Sequence, residues 1–404
     1  MGTVGKWKIS WGYICAGLMI ILLGSFSLSQ AKIGSSDLFS WIYNQLYKTL
    51  PYLFCGIYIL KNKKITRTKI FDLFCMGLCM IGILCLISIF EMLSSGRENP
   101  NLISGLNIFL IPMIISFLAF ALMDKKQIYF MMTGILVISF IAYLLSLGGA
   151  SSITLKALQT ISFSSSYSPF ESHVFAGLSA ALSAYFIYYR ENKVITIVSI
   201  LFVILTFKRA SVVFALGFII VSLFCVWKDS KTNKKIVNIS VIIFTVLTMV
   251  YAFFMNPEHI TKLNTFFVKY FNLNTFELTM GRNTLYSRLI NSGFISAGID
   301  SSWCYSADIE MDLVKVYIEV GFLGLLIVVA YFWQFAKANW YAYIYVLSIF
   351  FNLLTSHSFH TTTGWVVRYI LLLSLLSYSS EMSTLTLKSL LKKRFGIRKN
   401  KRQF

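Results

Sequence analysis

The sequence predicts an all-α integral membrane protein with about twelve transmembrane helices, and three observations carry that prediction. First, 57% of residues are hydrophobic and only 13% are charged, about half the charge that a typical soluble domain carries. Second, apolar runs approaching the roughly 20 residues that cross a hydrocarbon core recur along the chain. They show continuous apolarity rather than alternation, which selects helices over a closed barrel. Third, basic residues collect on every second connection, as the positive-inside rule requires of cytoplasmic loops.

The first run, 11–29, follows Lys6 and Lys8. It lacks a small-residue cleavage pattern and reads as a retained helix, not a signal peptide. Runs 42–60 and 70–91 flank the segment KNKKITRTK, and runs 105–123 and 128–148 flank DKKQ. Runs 172–189 and 194–207 flank RENK, while 212–227 and 236–254 flank KDSKTNKK. The last three runs are 313–334, 340–356 and 365–380, with FAKAN between the first two and a basic tail, 381–404, at the end.

The N-terminus, these five connections and the tail hold 24 of the 36 Lys and Arg but 4 of the 16 Asp and Glu. Both termini are therefore expected in the cytoplasm. The net charge of +20 is explained by topology and by anionic headgroups near the tail, so no nucleic-acid partner is called for. The whole chain, 1–404, reads as one polytopic domain. No P-loop, dinucleotide fingerprint, zinc-spaced Cys/His set or nucleophile elbow is present. Of seven cysteines, all but Cys304 fall in predicted helices and read as packing residues.

Two departures from regularity point to function. Run 194–207 is short and ends in Lys208-Arg209, on the face where positive charge is otherwise sparse. The connection 255–312 is the longest, and a long ordered loop on a compact scaffold is usually functional. Within it, Ile260, Leu263, Phe266, Phe267, Tyr270 and Phe271 recur at helical spacing, predicting an amphipathic helix over 259–274.

Four groups of polar residues gather at that outer boundary, where ionisable side chains are expensive. Lys208 and Arg209 read either as snorkelling charges or as a phosphate clamp. Arg282 and Arg288 are ordinary loop cations or part of that clamp, with Gly293 and Gly298 marking a tight turn. Asp308, Glu310 and Asp312 either favour a helix N-terminus or supply a general base; as a metal site they are unspecific. His357, His360 and Arg368 surround the turn HSFHTTTGW; an acid–base role suits the histidines, and Arg368 needs an anionic partner or a wet cavity. Together they suit an anionic, phosphorylated, lipid-borne substrate at the outer leaflet.

These residues sit in segments similar to those of a known family. TFKRASVVFALGF after a short span, the large outer loop with GRNTLYSRLINSGFISAGID, EMDLVKVYIEVGFLGLL and HSFHTTTGW resemble bacterial O-antigen polymerases of the Wzy type and the related O-antigen ligases. The ligases carry His-Asn or His-Ser where this chain has Glu310-Met311-Asp312, which favours polymerase. The resemblance implies a GT-C-like glycosyltransferase of the bacterial inner membrane, active at the periplasmic face in lipopolysaccharide biosynthesis. Its substrates would be glycans on undecaprenyl pyrophosphate, with membrane lipid around it and a chain-length regulator as a further partner. Arg209 and Arg282 would hold the pyrophosphate, assisted by Lys208 and Arg288, and Asp312 or His360 would take the proton. No metal, nucleotide or other cofactor is implied. The alternatives are a ligase and a lipid-linked oligosaccharide flippase or transporter. Span interiors nearly free of charge, with Glu319 the clearest exception, weigh against transport.

Overall fold

The computed structural model describes residues 10–31, 36–61, 69–149, 170–206, 208–223, 230–272, 281–305, 309–356 and 363–377, with 152, 154, 274, 275, 279, 359 and 361 between them. Among the described residues the chain is helical and contains no strand, as the sequence predicts. Five helices come first: α1 (Trp11–Gln30), α2 (Ser36–Lys61), α3 (Lys69–Ser95), α4 (Leu102–Leu122) and α5 (Lys125–Ser146). Then come α6 (His173–Tyr189), α7 (Lys193–Thr206), α8 (Arg209–Leu223) and α9 (Lys234–Met255). The long connection contributes α10 (Pro257–Phe271) and α11 (Arg282–Asn291). It leads to α12 (Asp312–Trp333), α13 (Trp340–Thr355) and α14 (Thr363–Ser377).

A helix lies at each predicted run. Among the described residues six helices are long and apolar enough to cross a membrane: α1, α3, α4, α5, α9 and α12. Helices α6, α7, α8, α13 and α14 are apolar but shorter. Helix α2 has 26 residues and is less apolar, carrying Asp37 and Lys48. Ile21, Leu86, Phe90, Val213 and Ile242 all stand largely exposed on the exterior. A surface this apolar is at home in lipid rather than water.

The interior follows from residue size. Helix α14 carries VVRYILLLSLL, and nearly all of its residues from Trp365 to Leu375 are buried, as expected of a helix apolar on every side. Helix α6 is rich in small residues (Ala176, Gly177, Ser179, Ala181, Ser183, Ala184), and at Gly177 it makes room for Arg368 of α14. From α13 the Tyr341 hydroxyl donates to the Ala184 carbonyl of α6 at 2.6 Å. Helices α1 and α5 meet closely at Gly134, whose backbone lies against Ile20. The Ser27 and Ser139 hydroxyls bridge them at 2.9 Å. Such interhelical hydrogen bonds contribute only about 0.6 kcal/mol each in a membrane, so side-chain packing carries most of the association.

The connections meet at two opposite ends. At one, Gln127 donates to the Ser10 hydroxyl at 3.0 Å, Lys125 pairs with Glu191 at 3.0 Å, and Trp340 N donates to the Ser230 carbonyl at 3.2 Å. All of these lie in connections that the charge pattern assigns to the cytoplasm. Asp124 opens α5 with a full capping box to Gln127, satisfying two donors that a helix start leaves open.

At the other end the long connection is pinned down. Asn99 donates to the Ala297 and Ile299 carbonyls at 3.1 and 2.8 Å, and the Ser88 hydroxyl accepts from Ile299 N at 3.0 Å. The buried Glu319 carboxylate accepts from Asp300 N at 2.7 Å and Ser302 N at 3.0 Å. Lys315 pairs with Asp300, both almost fully buried, and lies over the Trp303 ring at 5.3 Å. Gly293 and Gly298, expected to mark a tight turn, both have positive φ (72° and 91°). The predicted amphipathic helix is α10, which starts at Pro257 behind an Asn256 cap and leaves Phe266, Tyr270 and Phe271 exposed.

Helix α12 carries two features of its own. Helix α12 is not continuous: Gly321 has φ 68° and ψ −171°, a conformation open essentially to glycine alone. Asp312 and Lys315, at the start of this span, are buried together with Glu319, the one charge that the sequence places within it. They recur at i, i+3 and i+7 and so share one helix face.

Gly321→Ala is expected to lower stability by about 1–3 kcal/mol in thermal unfolding of detergent-solubilised protein. Gly217→Ala, in ordinary helical backbone with open space around it, is the control and should cost nothing. Removing the buried cation with Lys315→Met leaves two buried carboxylates and should cost about 3–5 kcal/mol. An unchanged melting temperature in Lys315→Met would show that the network does not hold the loop.

Candidate functional site

The end that carries the long connection gathers charge from four separate parts of the chain. Lys208 sits in the turn between α7 and α8, and this turn is tied to the start of α6 because Ser172 N donates to the Thr206 carbonyl at 3.4 Å. Arg282 is the first residue of α11, placed by Gly281 at φ 78°. Its guanidinium donates to the Thr279 carbonyl at 3.2 Å and faces Glu310 at 3.9 Å. Arg368 projects from α14, is 4% exposed, and lies over the Trp365 ring at 4.8 Å. It fits because position 177 on α6 has no side chain: a Cβ there would stand 2.9 Å from the Arg368 Nη2.

Asp312 is the acid among these cations. It opens α12, is 1% exposed, and accepts from Phe359 N at 2.6 Å. That bond ties the start of α12 to the predicted histidine-bearing turn. Arg368, Arg282, Glu171 and Asp312 all lie close enough to act on the Lys208 ammonium. Asp312 acts on Arg368 as well. Burial pushes Lys208 down to about 8, the neighbouring Arg368 and Arg282 add to this, and Glu171 and Asp312 oppose it. Lys208, Arg282 and Arg368 thus lie near one another, with the buried Asp312 and the exposed Glu171 in reach of Lys208. Like charges repel strongly where water is scarce, so this grouping of cations favours a neighbouring anion.

Of the residues singled out from the sequence, Lys208, Arg282, Asp312 and Arg368 come together. Glu310 is exposed and turns to Arg282, so it does not form a cluster with Asp312. Arg288 is exposed on the last turn of α11 and is not among the charges acting on Lys208. Arg209 begins α8, but its side chain lies outside the described residues, as do Asp308, His357 and His360. No group of three His, Cys, Asp or Glu suited to a metal ion occurs among the described residues.

Sequence reasoning missed Lys315 and Asp300, which lie directly behind the site. With Glu319, Ile299, Phe359 and Asp312 they line a cavity of about 20 Å³, about the size for one water. The signal was present in the i, i+3, i+7 spacing of Asp312, Lys315 and Glu319.

The Lys208 shift fixes a pH dependence. Its folded pKa lies below the ordinary value, so the positive charge is held below about pH 8 and lost above it. Inorganic pyrophosphate should therefore bind more weakly as pH rises through this range, measured by calorimetry on the solubilised protein. In Lys208→Arg the charge persists and the decline should vanish. A flat profile in the unaltered protein would remove Lys208 from the anion site. No protein-family model, curated protein or solved structure that was compared matches this chain.

Proposed function

We propose that this protein is an O-antigen polymerase: a glycosyltransferase that extends a repeat-unit polysaccharide at the periplasmic face of the bacterial inner membrane. The observation that carries the reading is the convergence of Lys208, Arg282, Arg368 and Asp312 at one end of an apolar helical bundle. In this reading the chain crosses the membrane twelve times with both termini in the cytoplasm, and the short apolar helices count as crossings. The matched outer and inner connections support that count.

The donor is a growing glycan on undecaprenyl pyrophosphate, and the acceptor is a single repeat unit on the same carrier. An acceptor hydroxyl oxygen forms a new bond to the donor's anomeric carbon as the bond to the pyrophosphate oxygen breaks. The pyrophosphate leaves with both electrons, and the hydroxyl proton passes to a base. Lys208, Arg209 and Arg282, with Arg288 assisting, stabilise the departing charge. Arg368, buried beside them, adds to the same field. Asp312 or His360 accepts the proton; Asp312 already sits among the cations.

A transporter reading draws on the buried charges of α12. Lys315, Asp300 and Glu319, however, are engaged in holding the outer loop. The cavity beside them, at about 20 Å³, is too small for a saccharide to pass.

A glycan ladder on a gel, with and without an intact gene, tests the reading. Collapse to core plus a single repeat unit is expected. Loss of all repeats from the core with polymer kept on the carrier would mean ligase. Units trapped on the cytoplasmic side would mean flippase, and an unchanged ladder would sink the family reading. Arg282→Ala should slow polymerisation by about 100- to 1000-fold at unchanged protein abundance.

A further inference from the structure

A second cavity, of about 400 Å³, opens at the outer end away from the cationic cluster. One wall is the turn after α3, carrying Arg97 and Glu98. The opposite wall is the pinned segment, presenting Ile295, Ala297, Ser301 and Tyr305. Arg97 donates to the Tyr305 hydroxyl and lies over its ring at 5.6 Å. That hydroxyl also accepts from Ile295 N at 3.2 Å, which fixes the ring. The walls are joined directly, since Asn99 holds the Ala297 and Ile299 carbonyls. The Ser301 hydroxyl accepts from Ala297 N at 3.3 Å.

The same run of backbone has two faces. Ala297 and Ser301 line the outer cavity, while Ile299 and Asp300 line the small cavity shared with Asp312. One thickness of chain therefore separates the outer cavity from the site.

Its chemistry differs from that of the site. Arg97 and Glu98 oppose each other in charge, so the cavity does not select an anion. It offers a forked donor, a carboxylate, a hydroxyl and a phenol beside the apolar surfaces of Ile295, Ala297 and the ring. Polar groups set precisely against apolar walls in a few hundred Å³ are the usual form of a small-molecule site. Hydroxyls alternating with C–H faces on a sugar ring match that mixture.

We propose that this cavity is a saccharide subsite that holds uncharged sugar residues of the lipid-linked glycan. The proposal rests on the polymerase reading for the identity of the glycan, but its test does not depend on turnover. The rigid wall keeps the bound sugars at a fixed distance from Asp312, so that binding here positions the chain.

Cys304 lines the cavity, is exposed and carries a free thiol, which makes it a reporter. Full-length protein in lipid nanodiscs is treated with a membrane-impermeant maleimide, and modification of Cys304 is followed by peptide mass spectrometry. The probe is the mixture of lipid-free oligosaccharides released by mild acid from the producing cells' lipid-linked pool. At millimolar concentration it should slow modification by at least about fivefold, the occupancy expected of a weak site. Arg97→Ala and the more conservative Glu98→Gln should each abolish the slowing, compared with the same variant lacking sugar. Inorganic pyrophosphate should leave the rate unchanged. Absence of protection, equal protection by pyrophosphate, or protection that persists in both variants would overturn the subsite. If protection holds while gene deletion leaves the glycan ladder intact, the polymerase reading falls and the subsite stands.

Discussion

A buried ion pair organises the half of this protein that carries the long connection. Lys315 on α12 pairs with Asp300, while Glu319 one turn further receives two backbone N–H groups from the same loop. Burying charge costs several kcal/mol per ion unless partners are supplied, so these groups are stable only when loop and helix are docked. The network therefore turns a long connection into a fixed wall. The start of α12, where Asp312 stands, is set by the same docking. So is the face of the loop that meets α3 and α4.

The cationic site follows from that arrangement and from two economies of size. Gly177 leaves room on α6 for the Arg368 guanidinium, and Gly281 lets the chain turn so that Arg282 opens α11. Lys208 enters from a turn too short to carry it far. The charges come from α7–α8, α11, α12 and α14, so no local segment contains the site. Only the packing of a buried last helix against α6 brings Arg368 to the others.

Helix positions were legible in the sequence because long apolar runs and basic connections both follow from the membrane as solvent. The amphipathic α10 was legible for the same reason, through its aromatic residues at helical spacing. The site was legible in part. Lys208, Arg282, Asp312 and Arg368 each stood out as polar groups near an apolar boundary, yet their convergence depends on tertiary packing that no local pattern encodes. Lys315 was overlooked because a lysine near the start of a span reads as a snorkelling charge, and its partner Asp300 lies 15 residues upstream in a loop. The break at Gly321 was hidden because glycine is common in membrane helices and only its backbone angles mark the difference.

That break divides the labour of α12. The segment before Gly321 is bound to the loop and carries Asp312, while the segment after it is packed in the core, with Leu325, Val328, Val329, Phe332 and Trp333 all buried. A bilayer thicker or thinner than a helix's apolar length makes the helix tilt. In an unbroken rod, tilt at the bottom would swing the top. Here the break at Gly321 separates the loop-bound head from the packed stem, so the direction of one does not dictate the direction of the other. The direction in which Asp312 meets the cations is therefore set by the docked loop and not by the slant of the stem.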